Sequence, residues 1–266
     1  LSVLVIGSPG AADADLYLRR ALAIGTSPSF EVTVRPVNQV TTDDVVAADV
    51  VVLNDVGLPG GQVGAAITRF VQAGGGLWVA LGERVRWPGD ALELLPGPVD
   101  APADRDGRGG SLGFVDYSHP VFEVFSAPRS GDLTAPRFFR YRPLVVGPEA
   151  VVLARFDNGE AAMTEQIVGD GRVLVWTSTV DSFWNDFALK PIYLPFVHKV
   201  VEYLAAYEAP TPYLTAGQVL DLSEYSGAAG LDVASPNLVA RDPSEDRVAV
   251  GNVGRPGFLE LTDQGF

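Results

Sequence analysis

Short apolar runs alternate with helical segments over the first eighty residues. The runs are LSVLVIG at 1–7, FEVTVRPV at 30–37, DVVVLND at 49–55 and LWVAL at 77–81. Segments at 13–24, 41–48 and 61–73 separate them, and their apolar residues have helical spacing or their first residues suit a helix N-terminus. Strands that alternate with helices in this way form a parallel sheet with helices on both faces. The sequence therefore predicts an α/β fold.

The pattern changes after residue 150. The stretch VVLARFDNGEAAMTEQIVGDGRVLVWTST, at 151–179, contains Asn-Gly and Asp-Gly turn dipeptides and predicts antiparallel hairpins added to the sheet. Residues 192–207 predict an amphipathic helix, because their apolar residues recur at spacings of three and four. The intervening segments 112–125 and 137–146 are aromatic and are predicted as strands.

Two domains are predicted. Residues 1–208 form the α/β domain, APTPYLTAG follows as a linker, and residues 213–266 form a small β-sandwich-like module that is cut short at its end. Pro210 and Pro212 disfavour a continuing helix. Because the chain begins with Leu1 and ends in a strand-like pattern, we expect it to be a piece of a longer protein.

Composition excludes several kinds of function. The net charge of −14 disfavours a nucleic-acid partner. The absence of cysteine excludes a Cys nucleophile, a thiolate metal site and a disulfide. His119 and His198 lack carboxylates at ligand spacing, so neither a metal nor a cofactor is predicted. No apolar run reaches the roughly 20 residues of a membrane helix, so no membrane segment is expected in this piece.

Three consecutive glycines at 74–76 follow a helix and precede a strand. A phosphate-binding loop has the opposite order, because the N-terminus of the following helix must face the anion. The triplet therefore predicts a helix C-cap and a tight turn. Gly82 and Glu83, directly after LWVAL, occupy the position where many α/β enzymes place a nucleophile.

The segments DVVVLND, GLPGG, QVGAAITRFVQAGGG and LWVALGERV resemble the core of the class I glutamine amidotransferase-like fold. The resemblance implies a flavodoxin-like, mostly parallel sheet, with a catalytic Cys at the elbow and a His after a later strand. The elbow positions here hold Gly82 and Glu83, and RVLVWTSTVDS carries no His. The resemblance therefore implies that amidotransferase chemistry is lost, because acyl transfer needs a nucleophile and its base.

The stretch GDGRVLVWTSTVDSFWNDFALKPIYLPFVHKVVEYLA, together with YSHPVF, is similar to bacterial aerotolerance (Bat-type) membrane proteins that often carry a von Willebrand factor A-like domain. This resemblance covers residues 1–208. It implies a domain of a membrane-anchored parent on the extracytoplasmic side of a bacterial membrane. The expected partner is a protein, and other domains of the same parent are candidates.

Five residues are predicted to form a binding site. Glu83 follows one strand of the predicted parallel sheet, and Asp181, Trp184, Asn185 and Asp186 follow another. Parallel strands release their following loops at one sheet edge, where α/β proteins bind ligands. We expect the five residues to border one concave surface there. An alternative interpretation makes Asn185 or Asp186 a turn cap, with Trp184 packed beneath the loop.

The main functional hypothesis is a non-catalytic interaction or sensor domain. Two alternatives remain open on the sequence. The first is a hydrolase that acts on a sugar or peptide through carboxylates such as Glu83 and Asp181. The second is a small-ligand binder at the carboxyl edge of the sheet, with a flavin or a saccharide as the ligand. Asp13 and Asp15 after the first strand oppose a phosphate.

Overall fold

The computed structural model describes residues 1–10, 14–25, 27–87, 92–105 and 107–208, together with four short strands beyond them. The chain divides into two compact units, residues 1–208 and 209–266. The first unit is an α/β domain. Its helices and strands are, in chain order, β1 (Ser2–Gly7), α1 (Leu16–Leu22), β2 (Glu31–Pro36), α2 (Thr42–Val46), β3 (Val50–Asn54), α3 (Gly61–Gln72), β4 (Gly76–Ala80), β5 (Ala103–Asp104), β6 (Leu112–Val115), α4 (Pro120–Glu123), β7 (Arg140–Tyr141), β8 (Ala150–Phe156), β9 (Ala161–Val168), β10 (Gly171–Trp176) and α5 (Tyr193–Leu204).

The main sheet has eight strands in the order β2-β1-β3-β4-β10-β9-β8-β6. Neighbours from β2 to β10 pair in parallel, and β9, β8 and β6 continue the sheet through antiparallel pairs. The first five positions have the flavodoxin-like order, in which the chain reverses direction across the sheet between β1 and β3. The predicted mostly parallel sheet with antiparallel additions is therefore confirmed.

Two apolar layers cover the two faces of the sheet. Alternate residues of each strand point to opposite faces, so Trp78 and Trp176 join the layer of α1, α4 and α5. Val79 and Val175 join the layer of α2 and α3. Both faces are buried, which explains why β1, β3 and β4 are continuous apolar runs in the sequence.

The two aromatic segments are less extended than their sequences predict. In 112–125 the strand ends at Val115, and α4 follows. His119 begins this helix, since its Nδ1 accepts a hydrogen bond from the backbone N–H of Val121 at 3.3 Å. In 137–146 the strand is limited to Arg140 and Tyr141. This short strand, β7, pairs with β5.

The glycine triplet at 74–76 ends a helix, as predicted. Gly74 has φ +108°, a conformation that L side chains rarely adopt. At Gly76 a Cβ atom would lie 2.4 Å from the carbonyl oxygen of Leu204 in α5. The triplet therefore provides a positive-φ turn and a close approach between β4 and α5.

The second unit contains four described strands. Strand β11 (Leu220–Asp221) pairs with β13 (Ala249–Val250), and β12 (Leu231–Val233) pairs with β14 (Leu261–Asp263), both antiparallel. The predicted linker lies outside the described residues, and the β-sandwich stays a prediction. In the described part of the chain, no helix combines the length and the apolar character needed to span a bilayer.

Candidate binding site at the carboxyl edge of the sheet

The loops that follow β1, β3, β4 and β10 leave the same edge of the sheet, because these strands run parallel. We call the residues of these loops and their direct contacts the carboxyl edge. In the flavodoxin-like order, ligands bind at this edge near the reversal between β1 and β3.

Asn54, the last residue of β3, connects that strand to the start of α1. Its side-chain amide donates to Oδ1 of Asp15 at 2.7 Å and to the carbonyl of Ala14 at 3.2 Å. Burial raises the pKa of Asp15, and the charge of Asp181 raises it further, although Asn54 and Arg19 act in the opposite direction. A buried carboxyl group therefore lies close to the reversal point of the sheet.

Asp55 follows Asn54 in a left-handed conformation with φ +51°, which is unfavourable for a residue with a Cβ atom. Its carboxylate accepts hydrogen bonds from the backbone N–H of Arg84 at 2.8 Å and from the guanidinium of Arg84 at 3.1 Å. Burial nevertheless raises the pKa of Asp55, and Asp181 contributes to the increase. These contacts connect the loop after β3 to the loop after β4.

Gly82 allows the close contact between these two loops. A Cβ atom at this position would lie 2.4 Å from Oδ1 of Asp55, which is closer than real Cβ atoms approach. Neither Gly82 nor Glu83 has a positive φ angle. The backbone at 82–83 therefore lacks the left-handed strain that would turn a side chain sharply out of the sheet edge.

Arg142 is buried and holds the Gly82–Glu83 backbone. Its guanidinium donates to the carbonyls of Gly82 at 2.8 Å, Glu83 at 3.0 Å and Asp100 at 3.2 Å. Burial lowers the pKa of Arg142, and the nearby charge of Arg86 lowers it further. Three backbone carbonyls take the place of water around this buried cation. Its hydrogen bonds to them hold the loop after β4 in place.

Arg140 brings Glu83 and Trp184 together. Its guanidinium donates to Glu83 Oε2 at 2.8 Å and lies 5.7 Å from the centre of the Trp184 ring system. The same group forms two hydrogen bonds with Asp104, at 2.5 and 3.2 Å. The carboxylates of Glu83 and Asp104 therefore share one cation above a buried aromatic ring.

Buried polar contacts fix the loop after β10. The side-chain amide of Asn185 donates to Ser178 Oγ at 3.0 Å and to the Thr179 carbonyl at 2.8 Å, and its oxygen accepts from the N–H of Phe187 at 3.0 Å. Trp184 is only 2% exposed. Both residues therefore stabilise the loop from inside, in agreement with the packing alternative for Trp184.

Asp181 forms a hydrogen bond within the loop after β10, and Asp186 connects this loop to neighbouring residues. Asp181 accepts from the N–H of Phe183 at 2.8 Å. Asp186 accepts from the N–H of Arg137 at 2.7 Å and pairs with Lys190 at 2.8 Å. Burial acts to raise the pKa of Asp186, but these two partners hold that pKa below its ordinary value.

The structure thus separates the five predicted residues by environment. Glu83 is exposed, Asp181 and Asp186 are partly buried, and Trp184 and Asn185 are inside the protein. Glu83 and the loop after β10 do lie at the same edge, connected by Arg140. The concave shape of this surface and its role in binding stay predictions.

Sequence reasoning missed the residues that organise the site. Arg140 and Arg142 lie in a segment interpreted only as an aromatic strand. Asp55 carried a usable signal, because it is a charged residue directly after a buried strand. Phe183 was also overlooked. Its side chain is 78% exposed and lies on the loop after β10.

Both histidines lie in the layer of α4 and α5. His198 Nε2 contacts the carbonyl of Ala21 at 2.8 Å, and His119 Nε2 lies 3.5 Å from Glu165. In the described part of the chain, no group of three or more His, Asp or Glu side chains is arranged to hold a metal ion.

No family model and no curated protein sequence matches this chain. Among solved structures, it is similar to the cytoplasmic protein STM1381 from Salmonella typhimurium LT2, with a TM-score of 0.61, 18% identity, and coverage of 77% of this chain and 99% of that one. The cytoplasmic protein STM3548 from Salmonella typhimurium gives a TM-score of 0.59 with the same identity and coverage. A ThuA-like protein from Bacteroides uniformis gives 0.52 at 11% identity, covering 78% of this chain and 92% of that one.

These neighbours have the flavodoxin-like, class I glutamine amidotransferase-like fold, so the predicted fold class is confirmed. The predicted relationship to aerotolerance proteins is wrong, because the three structures compared above are ThuA-like proteins and give no support for a relationship to the Bat or von Willebrand factor A type. The residues that carried that resemblance have structural roles here. Trp184 and Asn185 stabilise a loop, and a Cβ atom on Gly171 would lie 2.0 Å from the Val71 carbonyl.

The prediction of a membrane-anchored, extracytoplasmic domain is also wrong. The two Salmonella neighbours are described as cytoplasmic proteins, and the similar structures give no support for anchoring or for aerotolerance.

Proposed function

We propose that the α/β unit is a non-catalytic interaction domain that binds a protein partner at its carboxyl edge. The observation that carries the proposal is an exposed aromatic side chain on a fixed loop. Phe183 is 78% exposed, whereas its neighbour Trp184 is 2% exposed. An aromatic residue held by rigid surroundings loses little conformational entropy on binding, which favours its use as an interface anchor.

The surroundings of Phe183 have further properties of an interface. Phe139 is 44% exposed, and its backbone N–H donates to the carbonyl of Trp184 at 2.8 Å. Glu83, Asp104 and Arg140 form a charged network beside these two segments. We name these five residues the Phe183 patch. Aromatic side chains beside an arginine and paired charges are typical of binding surfaces.

The contacts at positions 82–83 support the absence of catalysis. Arg142 binds both backbone carbonyls, and Arg140 binds the Glu83 carboxylate. The hydroxyl of Ser178 donates to the Arg140 carbonyl at 2.9 Å, so it is directed at a backbone acceptor instead of a general base. These groups stabilise the loops of the edge.

The interaction can be tested with a photo-crosslinking amino acid at position 183, and at position 46 as the control. Val46 is a matched site because it is an apolar residue that is 80% exposed in α2. We expect a discrete protein crosslink in the native host from position 183 only. Phe183→Asp should then weaken the purified complex at least tenfold, with Val46→Asp unchanged. Equal crosslinking from both positions would contradict the proposal.

The proposed lack of catalytic activity can be tested separately. We expect no ammonia release from glutamine and no peptide hydrolysis by the purified chain. Glutamine hydrolysis that disappears in Glu83→Gln would show that the carboxylate is catalytic. This outcome would favour the carboxylate-based enzyme over the interaction domain.

A small-ligand site near the sheet reversal is the second candidate function. Asp15 and Asp55 are buried carboxyl groups on either side of Asn54, and Asp181 is close enough to raise the pKa of both. Carboxyl and amide groups of this kind bind the hydroxyl groups of polar ligands such as saccharides. Saturable protection of the chain against thermal unfolding by a saccharide, lost in Asn54→Ala, would support this candidate.

A further inference from the structure

A groove of about 760 Å³ lies between α4 and the C-terminal part of α5. It is located at the end of the sheet where β10 begins, because Arg172 is the second residue of that strand and lines the groove. The groove is therefore distinct from the Phe183 patch, whose loops follow the other ends of the parallel strands. Its lining combines apolar side chains with two cations and three carboxylates.

A partly buried carboxylate, Glu165, lies against Tyr203 and His119. One of its oxygens accepts a hydrogen bond from the Tyr203 hydroxyl, and the other lies 3.5 Å from Nε2 of His119. The Nδ1 atom of His119 accepts from the N–H of Val121, so a neutral ring carries its proton on Nε2, toward Glu165. Both oxygens of Glu165 thus have neighbours other than Arg172, although the charge of Arg172 also helps to lower the pKa of Glu165.

Arg172 retains hydrogen-bonding capacity in this wall, because a guanidinium has five N–H donors and its hydrogen bond with the Tyr203 hydroxyl uses only one of them. Its guanidinium lies 5.1 Å from the centre of the Tyr203 ring. Among the described residues that surround it, no carboxylate comes within 4.0 Å of its nitrogens. The second cation, Lys199, already pairs with Glu202 at 2.5 Å. An arginine that is held in place, with no carboxylate of the described residues within 4.0 Å of its nitrogens, is suited to bind an acidic ligand group.

We propose that this groove binds a small organic monocarboxylate, with its acid group on Arg172 and its apolar body along Pro120, Val124 and Tyr207. The planar guanidinium matches a carboxylate through two parallel hydrogen bonds. The apolar lining suits a hydrocarbon or aromatic body, and Val124 is 40% exposed. Glu123, Glu202 and Glu208 also line the groove, and their charges disfavour phosphates and other multiply charged anions.

Benzoate, benzamide and benzylamine share one apolar ring and differ in charge, so they serve as probes. We expect benzoate to bind saturably and to shift the backbone amide signals of Val124 and Tyr203 in a ¹H–¹⁵N NMR titration. Benzamide and benzylamine should bind at least tenfold more weakly. Equal binding of benzamide would overturn the role of Arg172, and preferential binding of benzylamine would show that the acidic side chains select the ligand.

Variants test the same assignment. Arg172→Gln should weaken benzoate binding at least tenfold, whereas Arg69→Gln, which removes an exposed arginine on α3, should leave binding unchanged. Val124→Glu places a negative charge on the groove at an exposed position, so it should weaken benzoate binding even if Arg172→Gln fails to fold. Unchanged benzoate binding in Val124→Glu, or benzoate-induced shifts confined to the carboxyl edge, would overturn the proposal.

Discussion

The guanidinium of Arg140 lies over the indole ring of Trp184, 5.7 Å from the ring centre. The contact has consequences for two loops, because the same guanidinium also binds Glu83 after β4. An arginine stacked on an aromatic ring keeps its hydrogen-bond donors in a fixed plane. A side chain from a third segment therefore fixes the loops after β4 and β10 relative to each other.

Trp184→Ala is expected to destabilise the α/β unit by about 3–5 kcal/mol, the usual cost of removing a buried Trp side chain. Phe183→Ala should change the free energy of unfolding by less than about 0.5 kcal/mol, because its side chain is mostly exposed. Urea unfolding of both variants measures the difference. Similar costs for the two substitutions would mean that the loop packs differently from the arrangement described above.

Gly82→Ala is expected to cost about 1–3 kcal/mol, since its Cβ atom would lie 2.4 Å from Oδ1 of Asp55. In an Asp55→Gly background the opposing atom is absent, so the same substitution should cost less than half as much. A double-mutant cycle in urea measures this coupling. Additive costs would indicate that the clash at position 82 involves other atoms.

Asp15→Asn is expected to stabilise the fold at neutral pH. Burial raises the pKa of Asp15 in the folded state above its unfolded value of about 3.9, so ionisation penalises folding. The penalty is absent below about pH 4 and is complete above the raised folded-state pKa. The stabilisation should therefore grow across this interval and then remain constant.

The pH dependence of Asp15→Asn can be measured by thermal unfolding between pH 3.5 and 8. Asp170→Asn, in the exposed turn between β9 and β10, is the control for the loss of one negative charge. A stabilisation by Asp15→Asn that is already present at pH 3.5 would point to packing instead of ionisation.

Arg142→Met is expected to destabilise the unit by about 2–4 kcal/mol, because it leaves one buried and two partly buried carbonyls, those of Gly82, Glu83 and Asp100, without their donor. Arg84→Met is the control. It also removes a guanidinium near the same loop, but its side chain is 57% exposed. Chemical denaturation compares the two variants, and an equal loss of stability would argue against a special role for the buried arginine.

The parallel part of the fold was predictable because it depends on local signals. Strands β1, β3 and β4 are buried on both faces, so each is an uninterrupted apolar run. Thr41 precedes α2 and forms a reciprocal capping box with Asp44. Each of these patterns involves residues that are close together in the chain. They can therefore be recognised in a single sequence.

The organisation of the candidate site was not predictable in the same way. Arg142 is separated from Gly82 by sixty residues, and its function as a donor depends on three carbonyls that no pattern in its own segment indicates. Trp184 illustrates the opposite error. A Trp among polar residues suggests a surface site, but here the indole is buried and the adjacent Phe183 is exposed.

The pairing of β4 with β10 matters for the synthesis of this chain. Gly76 is opposite Arg172, so the pair joins segments that are about a hundred residues apart. A nascent chain that has emerged only as far as β9 has no β10 to cover one edge of β4. Its apolar run, which includes Trp78, is then available to other unfinished chains. Protection of that edge during translation, by a chaperone or by rapid collapse, is therefore a requirement that this strand order places on the cell.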